Sequence, residues 1–572
     1  MVDLTLAMNY ACAGLERVAD YHLVNIVIHL LAGLTLFGVV RRTLSSGTLR
    51  DRFGLRAAPI AGTIALLWTV HPLQTQSVTY VIQRAESMMG LFYLLTLYCV
   101  VRCGTAFQPV KDTGKMPVPP WFWCIAAVVA CALGMGCKAV MISAPMVVLL
   151  YDRTFLAGSF RAAVRRRYLL YLGLAASWCV LGWSGVAGAV LRTENPSAHV
   201  GFGYKGVSPV EYAVTQFGVL VEYLKLSVWP YPLCLDHNLT IANSAGRILP
   251  QTVAILTLAT LTIVGFVRRS ALGFLGAAFW SILSPTSSFV PIKDVMFEHR
   301  MYLSLACVIV AVVVGADRAI QRLTSLLSWN RSRQRVISTV LTAVAIVVLG
   351  VGTAARNRTY ASATDMWRDV TTKRPDNARA FEHLGTALID AEDKPAAVAA
   401  FQRAVQLNPD SIVARVDLAN ALLGTGRAAE AIPHYEEALH RDPQDIQAQI
   451  AVGHAYDAVG RAYDAFQAFV HAGEMQGPRA SPQTRARAYF NVAASVGRSG
   501  NLDGAIAAYR EALRLWPEYQ KAHYALGYAL TLQEKYAEAI EEFDRAIALD
   551  PNDAAARRVR DEALSRLPRN RP

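Results

Sequence analysis

The spacing of apolar residues divides the chain into two parts. In residues 1–355, apolar runs, several of them close to 20 residues long, alternate with short polar loops, and about 20 apolar residues are enough to cross a bilayer. From residue 356 onward, apolar residues recur at helical spacing among charged residues and alanines. The pattern predicts an all-α protein, in which a polytopic membrane helix bundle is followed by a water-soluble helical domain.

The first part contains ten candidate membrane spans. They are residues 22–40, 57–70, 80–101, 121–136, 139–151, 168–190, 252–267, 271–290, 301–315 and 336–354. A further apolar segment, 211–229, carries Glu211, Gln216, Glu222 and Lys225 among its aromatic residues. That mixture is typical of a helix that lies at the membrane interface, so we predict that this segment does not cross.

Basic residues predict the orientation of the membrane domain. If loop 41–56 is cytoplasmic, the loops on that side hold 20 Lys and Arg, and the longer opposite segments hold 9. Cytoplasmic loops carry such an excess of positive charge. With ten crossings, the first residues and the C-terminal domain are both predicted on the non-cytoplasmic side.

Proline marks a repeat in the C-terminal part. Pro375, Pro409 and Pro443 are spaced by 34 residues, as are Pro517 and Pro551, and the step of 74 between the two groups is two repeats plus six residues. Small and aromatic residues keep the same phase, which is the pattern of tetratricopeptide repeats (TPRs). We predict a junction with a half-repeat at 356–377, five repeats at 378–411, 412–445, 446–485 (with an insertion), 486–519 and 520–553, and a capping helix with a tail at 554–572.

Composition narrows the possible functions. The net charge is +13, but many of the basic residues lie in the short loops that set orientation, so nucleic acid is not a predicted partner. Nine cysteines show no metal-ligand spacing and no disulfide framework. We therefore predict no metal and no cofactor.

The segments predicted on the non-cytoplasmic side carry the candidate chemistry. The stretch KDVMFEHRMY at 293–302 places several ionisable residues beside a span, where charges are costly unless they are paired, hydrated or functional. Candidates for binding an anionic substrate are Arg300, Arg84, Lys138, His71, Gln74, His299, Tyr302 and His237, and acidic candidates are Glu298, Glu86 and Asp236. Cations can hold a phosphate and carboxylates can accept a proton. Motifs for nucleotide binding do not occur where they could matter, which disfavours a nucleotide-sugar or ATP-driven enzyme.

Five motifs occur in order ahead of the repeats. They are YHLVNIVIH at 21–29, WTVHPLQTQSVTYVIQRAE at 68–86, GCKAV at 136–140, VVLLYD at 147–152 and FEHRMYL at 297–303. Together with the repeats they resemble bacterial relatives of the TMTC-type protein O-mannosyltransferases, which belong to the GT-C class. The resemblance implies a bacterial inner-membrane enzyme that transfers a sugar, mannose, from a polyprenyl-phosphate donor to protein Ser or Thr. It also implies a metal-independent reaction, an outward-facing site, and repeats that bind the acceptor or a partner polypeptide.

The sequence departs from that family at its beginning. The family places a catalytic carboxylate in an acidic motif after a first span, and both are absent here, so the catalytic residue stays unknown and the chain made from Met1 is expected to be inactive. In this interpretation Arg300 holds the donor phosphate, Arg84, Lys138 and His71 assist, and Glu298 or Glu86 orients the sugar or tunes the arginine. The alternative is a non-catalytic, membrane-anchored TPR scaffold. A lipid-linked sugar flippase is a third reading, although no inverted repeat recommends it.

Overall fold

A computed structural model describes residues 2–14, 18–105, 119–183, 208–239, 245–292 and 294–567. The described residues form α-helices joined by loops and short 3₁₀ segments, which confirms the predicted all-α architecture. The chain separates into two compact units, Met1–Arg374 and Pro375–Pro572. The boundary between the units falls near the end of the predicted junction at 356–377.

Seventeen α-helices belong to the described part of the first unit. They are α1 (Val2–Ala13), α2 (Val18–Leu44), α3 (Arg50–Phe53), α4 (Ala57–Thr69), α5 (Thr75–Thr79), α6 (Arg84–Thr105), α7 (Pro120–Met135), α8 (Ala144–Tyr151), α9 (Phe160–Arg166), α10 (Tyr168–Ala176), α11 (Trp178–Trp183), α12 (Pro209–Val228), α13 (Ala245–Val267), α14 (Ala271–Leu283), α15 (Met301–Leu326), α16 (Arg331–Arg358) and α17 (Ala363–Lys373). The 3₁₀ turns Pro72–Gln74, Val81–Gln83, Ala139–Ser143 and Glu298–Arg300 connect several of them.

Six helical segments of the described residues are long and apolar enough to cross a membrane: Ala19–Leu44, Arg84–Gly104, Ala139–Leu156, Ile248–Val267, Glu298–Leu326 and Arg331–Arg358. A seventh candidate is the pair Arg50–Thr69 and Pro72–Thr79, which bends by 52°. Three shorter apolar helices, Pro120–Met135, Tyr168–Trp183 and Ala271–Leu283, coincide with other predicted spans. The total of ten crossings stays a prediction, and the end of the predicted span 168–190 lies outside the described residues.

The segment predicted at the membrane interface forms α12. The helix starts with a capping box, in which Ser208 and Glu211 satisfy each other's backbone amides. One face of α12 is buried in the unit, including Tyr212, Gln216 and Tyr223. Because Tyr223 binds the backbone of Phe297 through its hydroxyl at 2.8 Å, α12 supports the loop that leads into the 298–300 turn.

The second unit consists of consecutive helix pairs. They are α18 (Ala378–Asp390) with α19 (Lys394–Leu407), α20 (Ile412–Gly424) with α21 (Ala428–Arg441), α22 (Ile446–Ala458) with α23 (Ala462–Glu474), α24 (Pro482–Arg498) with α25 (Leu502–Leu515), and α26 (Gln520–Leu532) with α27 (Tyr536–Leu549), followed by α28 (Ala554–Arg566). Phe401 packs against Gly385, where a Cβ atom would lie 2.6 Å from the ring. The same contact recurs at later pairs, so the small and aromatic positions of the repeat are packing partners.

The predicted half-repeat at 356–377 begins inside α16, which continues to Arg358. Its helix, α17, belongs to the first unit. Lys373 of α17 donates to the carbonyl of Leu233 at 2.7 Å, which holds α17 on a loop of the membrane unit. This contact explains why the unit boundary falls after α17.

Candidate functional site

Lys138 and Glu86 form the first part of the candidate site. Lys138 precedes the 3₁₀ turn before α8, and its Nζ donates to Glu86 Oε1 at 2.8 Å. The side chain of Glu86 is 2% exposed and that of Lys138 is 26% exposed. The pair is therefore reached from the lysine side, while the carboxylate is enclosed.

His299 lies beside this pair. Its backbone amide donates to Gln76 Oε1 at 2.9 Å, and its ring stacks on Phe297 with centroids 4.9 Å apart. An electrostatic interaction links the ring to Lys138. The 298–300 turn and the 72–79 segment thus meet, and they bring His299 and Gln76 to the same region as Lys138 and Glu86.

Several buried polar atoms in this region have no hydrogen-bond partner among the described residues. They are Glu86 Oε2, Gln74 Oε1, Thr75 Oγ1, Ser77 Oγ and His299 Nδ1. Buried polar atoms are nearly always paired, and a group of orphans indicates a place for water or a ligand. The arrangement offers a cation and a carboxylate oxygen, with further hydrogen-bonding groups around them.

Tyr302 contacts Gln74 and packs against the neighbouring helices. Its hydroxyl lies 2.8 Å from His29 Nδ1, and its carbonyl accepts from Trp68 Nε1 at 3.0 Å and Gln74 Nε2 at 3.3 Å. Gly90 faces the ring, and any Cβ there would overlap it. Tyr302, predicted to bind substrate, is fully engaged in packing α15 against α2, α4 and α6.

Arg300 donates hydrogen bonds to backbone carbonyls of the loop that precedes it. Its Nη1 donates to the carbonyls of Thr286 at 3.2 Å and Val295 at 3.1 Å, and its Nη2 donates to the carbonyl of Asp294 at 2.6 Å. The residue is 8% exposed. The structure does not bring Arg300 into hydrogen-bond contact with Lys138 or Glu86. Lys293, at the start of the same stretch, lies outside the described residues.

Arg84 is also engaged within the chain. It is buried, and it donates to Asn25 Oδ1 at 2.7 Å, to Asn9 Oδ1 at 2.6 Å, and to the carbonyls of Thr5 and Tyr21, both at 3.1 Å. These contacts fasten α1 and the start of α2 to α6. Arg84 therefore has a structural role here, because it connects three helices through hydrogen bonds.

His71 caps the 3₁₀ turn that carries Gln74. Its Nδ1 accepts from the amide of Leu73 at 3.2 Å, and its Nε2 lies 3.2 Å from the carbonyl of Ser227. Both ring nitrogens are occupied in these contacts. The residue thus fixes the turn that contributes to the site without presenting a free nitrogen.

Glu298 and His237 meet in a separate ionic cluster. Glu298 Oε1 accepts from the amide of Cys234 and lies 3.1 Å from His237 Nε2, while Oε2 accepts from Arg356 at 3.2 Å. Both carboxylate oxygens are therefore occupied. Burial in this cluster raises the pKa of the Cys234 thiol to about 11. Asp236, the third acidic candidate, accepts the amide of Asn238 at 3.0 Å.

Sequence reasoning missed three members of this cluster. Arg356 donates to Asp369 at 3.2 Å and to the carbonyl of Leu233 at 2.8 Å, and Asp369 accepts from Lys373 at 2.7 Å. The one available signal was Arg356 itself, a charge at the end of the last apolar run. Charged side chains at the ends of spans usually extend to the membrane interface. The sequence therefore offered no reason to expect that Arg356 forms a buried ion pair.

Comparisons with known proteins find tetratricopeptide repeats in the C-terminal part of the chain. Tetratricopeptide-repeat models match residues 353–412 and 493–554, and a second such model matches 388–454. These matches confirm tetratricopeptide repeats in the C-terminal part, and the bounds of the five repeats stay a prediction. The structure of YrrB, a TPR protein with an unusual peptide-binding site, covers 35% of this chain and all of its own, with 18% identity and a TM-score of 0.28.

The curated relatives cover the membrane part as well. The chain is 23% identical over 453 residues to mouse (Mus musculus) protein O-mannosyl-transferase TMTC4. The aligned region covers 70% of this chain and 56% of that protein. The chain is also 23% identical over 590 residues to mouse TMTC3, spanning 96% of this chain and 57% of that protein. The chain thus spans about half the length of these relatives. Their names agree with the family that the sequence motifs resemble.

Proposed function

We propose that this chain is a membrane glycosyltransferase that transfers a sugar, mannose, from a polyprenyl-phosphate donor to Ser or Thr of a polypeptide. The observation that carries the proposal is the Lys138–Glu86 pair with the orphan atoms Glu86 Oε2 and His299 Nδ1 beside it. Further support comes from the O-mannosyl-transferase relatives and from the repeats.

Lys138 is the residue that we assign to the donor phosphate. An ammonium group has three donors, and the contact with Glu86 uses one of them. Its partial exposure leaves the group accessible. The guanidinium groups of Arg300 and Arg84, by contrast, already donate to acceptors within the chain. Arg300 donates to backbone carbonyls, and Arg84 donates to the side-chain oxygens of two asparagines. In our proposal these two arginines therefore hold the surrounding structure in place.

Glu86 is the carboxylate that we assign to proton transfer, in place of the family's acidic motif; this assignment departs from the expectation of an inactive chain. Of the three acidic candidates, it has an oxygen without a partner in the described part of the chain. When the donor phosphate binds Lys138, the ammonium group is shared between the phosphate and Glu86 Oε1. Glu86 then takes the proton of the acceptor hydroxyl, whose oxygen bonds to C1 of the sugar. The bond between C1 and the phosphate oxygen breaks, and its electron pair leaves with the phosphate.

The other parts of the proposal concern location and partner. We place the protein in a bacterial inner membrane, as the resemblance of its motifs implies, with the repeats on the non-cytoplasmic side. The uneven distribution of Lys and Arg between loops supports that orientation. The repeats would bind the acceptor polypeptide, because stacked helix pairs form extended binding surfaces. No metal enters the proposed reaction.

Reconstituted transfer tests this function. The full chain is placed in vesicles with polyprenyl-phosphate mannose and a Ser/Thr-containing peptide, and the glycosylated peptide is measured by mass spectrometry. We expect Lys138→Met and Glu86→Gln to lower the rate at least 100-fold, since each removes a charge that acts in the transition state. Lys225→Met is the control, because the Lys225 side chain is 52% exposed and pairs with Glu222, three positions earlier on the same helix. Equal rates for all four proteins would contradict the proposal.

The scaffold alternative has an observation in its favour. Most of the predicted ionic candidates, including Arg84, Arg300 and Glu298, are engaged in internal contacts. A wild-type chain that captures a partner polypeptide but never transfers sugar, with Lys138→Met behaving identically, would favour the scaffold.

A further inference from the structure

A groove of about 710 Å³ lies between α16 and the rest of the first unit. Its walls are mainly apolar side chains of α4, α15, α16 and the 227–233 segment. The lining on α16 comprises Ala345, Val348, Leu349, Gly352, Ala355 and Arg356. Because the apolar window of α16 is 0% buried, this helix contacts the bundle along a limited surface and leaves room beside it.

The groove has the length of one membrane leaflet. Its lining on α16 runs from Ala345 to Arg356, which at 1.5 Å per residue is about 16 Å along the helix. Half of the hydrocarbon core of a bilayer is about 15 Å. A single hydrocarbon chain in the leaflet at the C-terminal end of α16 matches this length.

Cations and aromatic residues mark one end of the groove. Arg356 and Lys373 both line it. Arg356 is 6% exposed, and its Nε has no hydrogen-bond partner among the described residues. Trp229 and Tyr231, each 68% exposed, line the same groove, and such residues are enriched where membrane meets water. The groove is therefore apolar along its length and suited to a negative headgroup at its end.

The groove is separate from the proposed transfer site. None of Glu86, Lys138 and His299 is among its lining residues in the described part of the chain. His71 does line it, but both ring nitrogens of His71 are engaged. The groove therefore does not present the residues that we assign to the donor.

We propose that this groove binds an anionic phospholipid, with one acyl chain along α16 and the phosphate on Lys373 Nζ, at the end where Arg356 also lines the groove. The lipid would fill the space between α16 and the bundle and hold Arg356 in place against Glu298, whose oxygen accepts from it at 3.2 Å. The lipid site is inferred from the shape and charge of the groove alone, and the transfer reaction is no part of that inference.

Two valines of α16 provide a matched pair of variants. Val348 lines the groove and Val347 does not, although each is 62% exposed. Val348→Trp should fill the groove, and Val347→Trp should place the same bulk outside it. The full chain is purified in detergent, depleted of lipid, and titrated with dioleoyl-phosphatidylglycerol or dioleoyl-phosphatidylcholine, and bound lipid is counted by native mass spectrometry.

We expect the wild type and Val347→Trp to bind one phosphatidylglycerol at least tenfold more tightly than phosphatidylcholine. Val348→Trp should lose at least tenfold in phosphatidylglycerol affinity, and Lys373→Met should lose the preference for the anionic lipid while keeping the fold. Circular dichroism of each variant shows that the helices are intact.

Three results would overturn the proposal. The first is unchanged phosphatidylglycerol binding by Val348→Trp, and the second is equal binding of both lipids by the wild type. The third is one-for-one displacement of phosphatidylglycerol by polyprenyl phosphate, which would make the groove the donor's site. Lys138→Met should bind phosphatidylglycerol normally, so the fate of the transfer reaction is judged separately.

Discussion

Arg356 and Glu298 are 58 positions apart, yet Arg356 Nη2 donates to Glu298 Oε2 across 3.2 Å. Their side chains are 5% and 1% exposed. A buried charge is costly unless its partner is present, so each of these residues depends on the other. The contact fastens the end of α16 to the turn that carries His299, and so links the last apolar helix to the proposed site.

Removing the arginine should destabilise the first unit. Arg356→Met leaves Glu298 buried without its cation, which costs about 3 kcal/mol by comparison with other broken buried pairs. Thermal unfolding of the full chain in detergent measures the loss. Arg358→Met is the control, because Arg358 is exposed on the same turn of α16. If both variants melt together, the pair does not stabilise the unit.

A methyl group at Gly90 should disturb the site indirectly. The Cβ of Gly90→Ala would overlap the Tyr302 ring, so the ring must move and its 2.8 Å contact with His29 must change. We expect at least a tenfold loss of sugar transfer, because small displacements of a site are costly in rate. Gly62→Ala on α4 is the control, since a Cβ there meets nothing within 4 Å. A Gly90→Ala variant as active as Gly62→Ala would show that Tyr302 is not a support.

Local pattern was enough to predict much of the fold. Runs of apolar residues correspond to helices of the first unit, and the 34-residue period corresponds to the helix pairs of the second. Both signals are properties of neighbouring residues. The position of α17 was not predictable in this way, because it depends on Lys373 reaching a carbonyl 140 positions earlier in the chain.

The candidate site was predictable in its membership but not in its pairing. Lys138, Glu86 and His299 were among the candidates, whereas nothing in their spacing shows that Lys138 binds Glu86 across 52 positions. Arg84 was expected to assist with the phosphate, but its partners Asn9 and Asn25 are 75 and 59 positions away. A long-range contact of this kind is fixed by the packing of whole helices.

Asp417 should make the repeats sensitive to pH. Burial, followed by the nearby charge of Glu382, raises the pKa of Asp417 above its ordinary value. The folded chain therefore binds this proton more tightly than the unfolded chain, so ionisation of Asp417 costs stability. The cost is present at neutral pH and disappears as the pH falls below the ordinary carboxyl pKa of about 4.

Asp417→Asn is accordingly expected to slow hydrogen exchange in α20 at pH 7 and to have little effect near pH 4. Exchange of the full chain, followed by mass spectrometry of its peptides, makes the comparison at each pH. Glu541→Gln on α27, which is exposed, should change exchange in α20 at neither pH. Faster exchange in Asp417→Asn at neutral pH would contradict the sign of the effect.

Arg300 and Lys138 can be distinguished by conservative substitution. Arg300 holds three carbonyls with two of its nitrogens, a fork that lysine cannot reproduce. Arg300→Lys should therefore lower the melting temperature of the first unit by several degrees. Since the loop still carries a cation, the KM for the polyprenyl-phosphate donor should stay within about threefold of the wild type.

Lys138→Arg should keep the melting temperature, because the exposed side of Lys138 leaves space, but it should raise the donor KM about tenfold by displacing the charge from Glu86. The reverse pattern, with donor KM raised by Arg300→Lys and unchanged by Lys138→Arg, would return the phosphate to Arg300 as the sequence motifs first indicated.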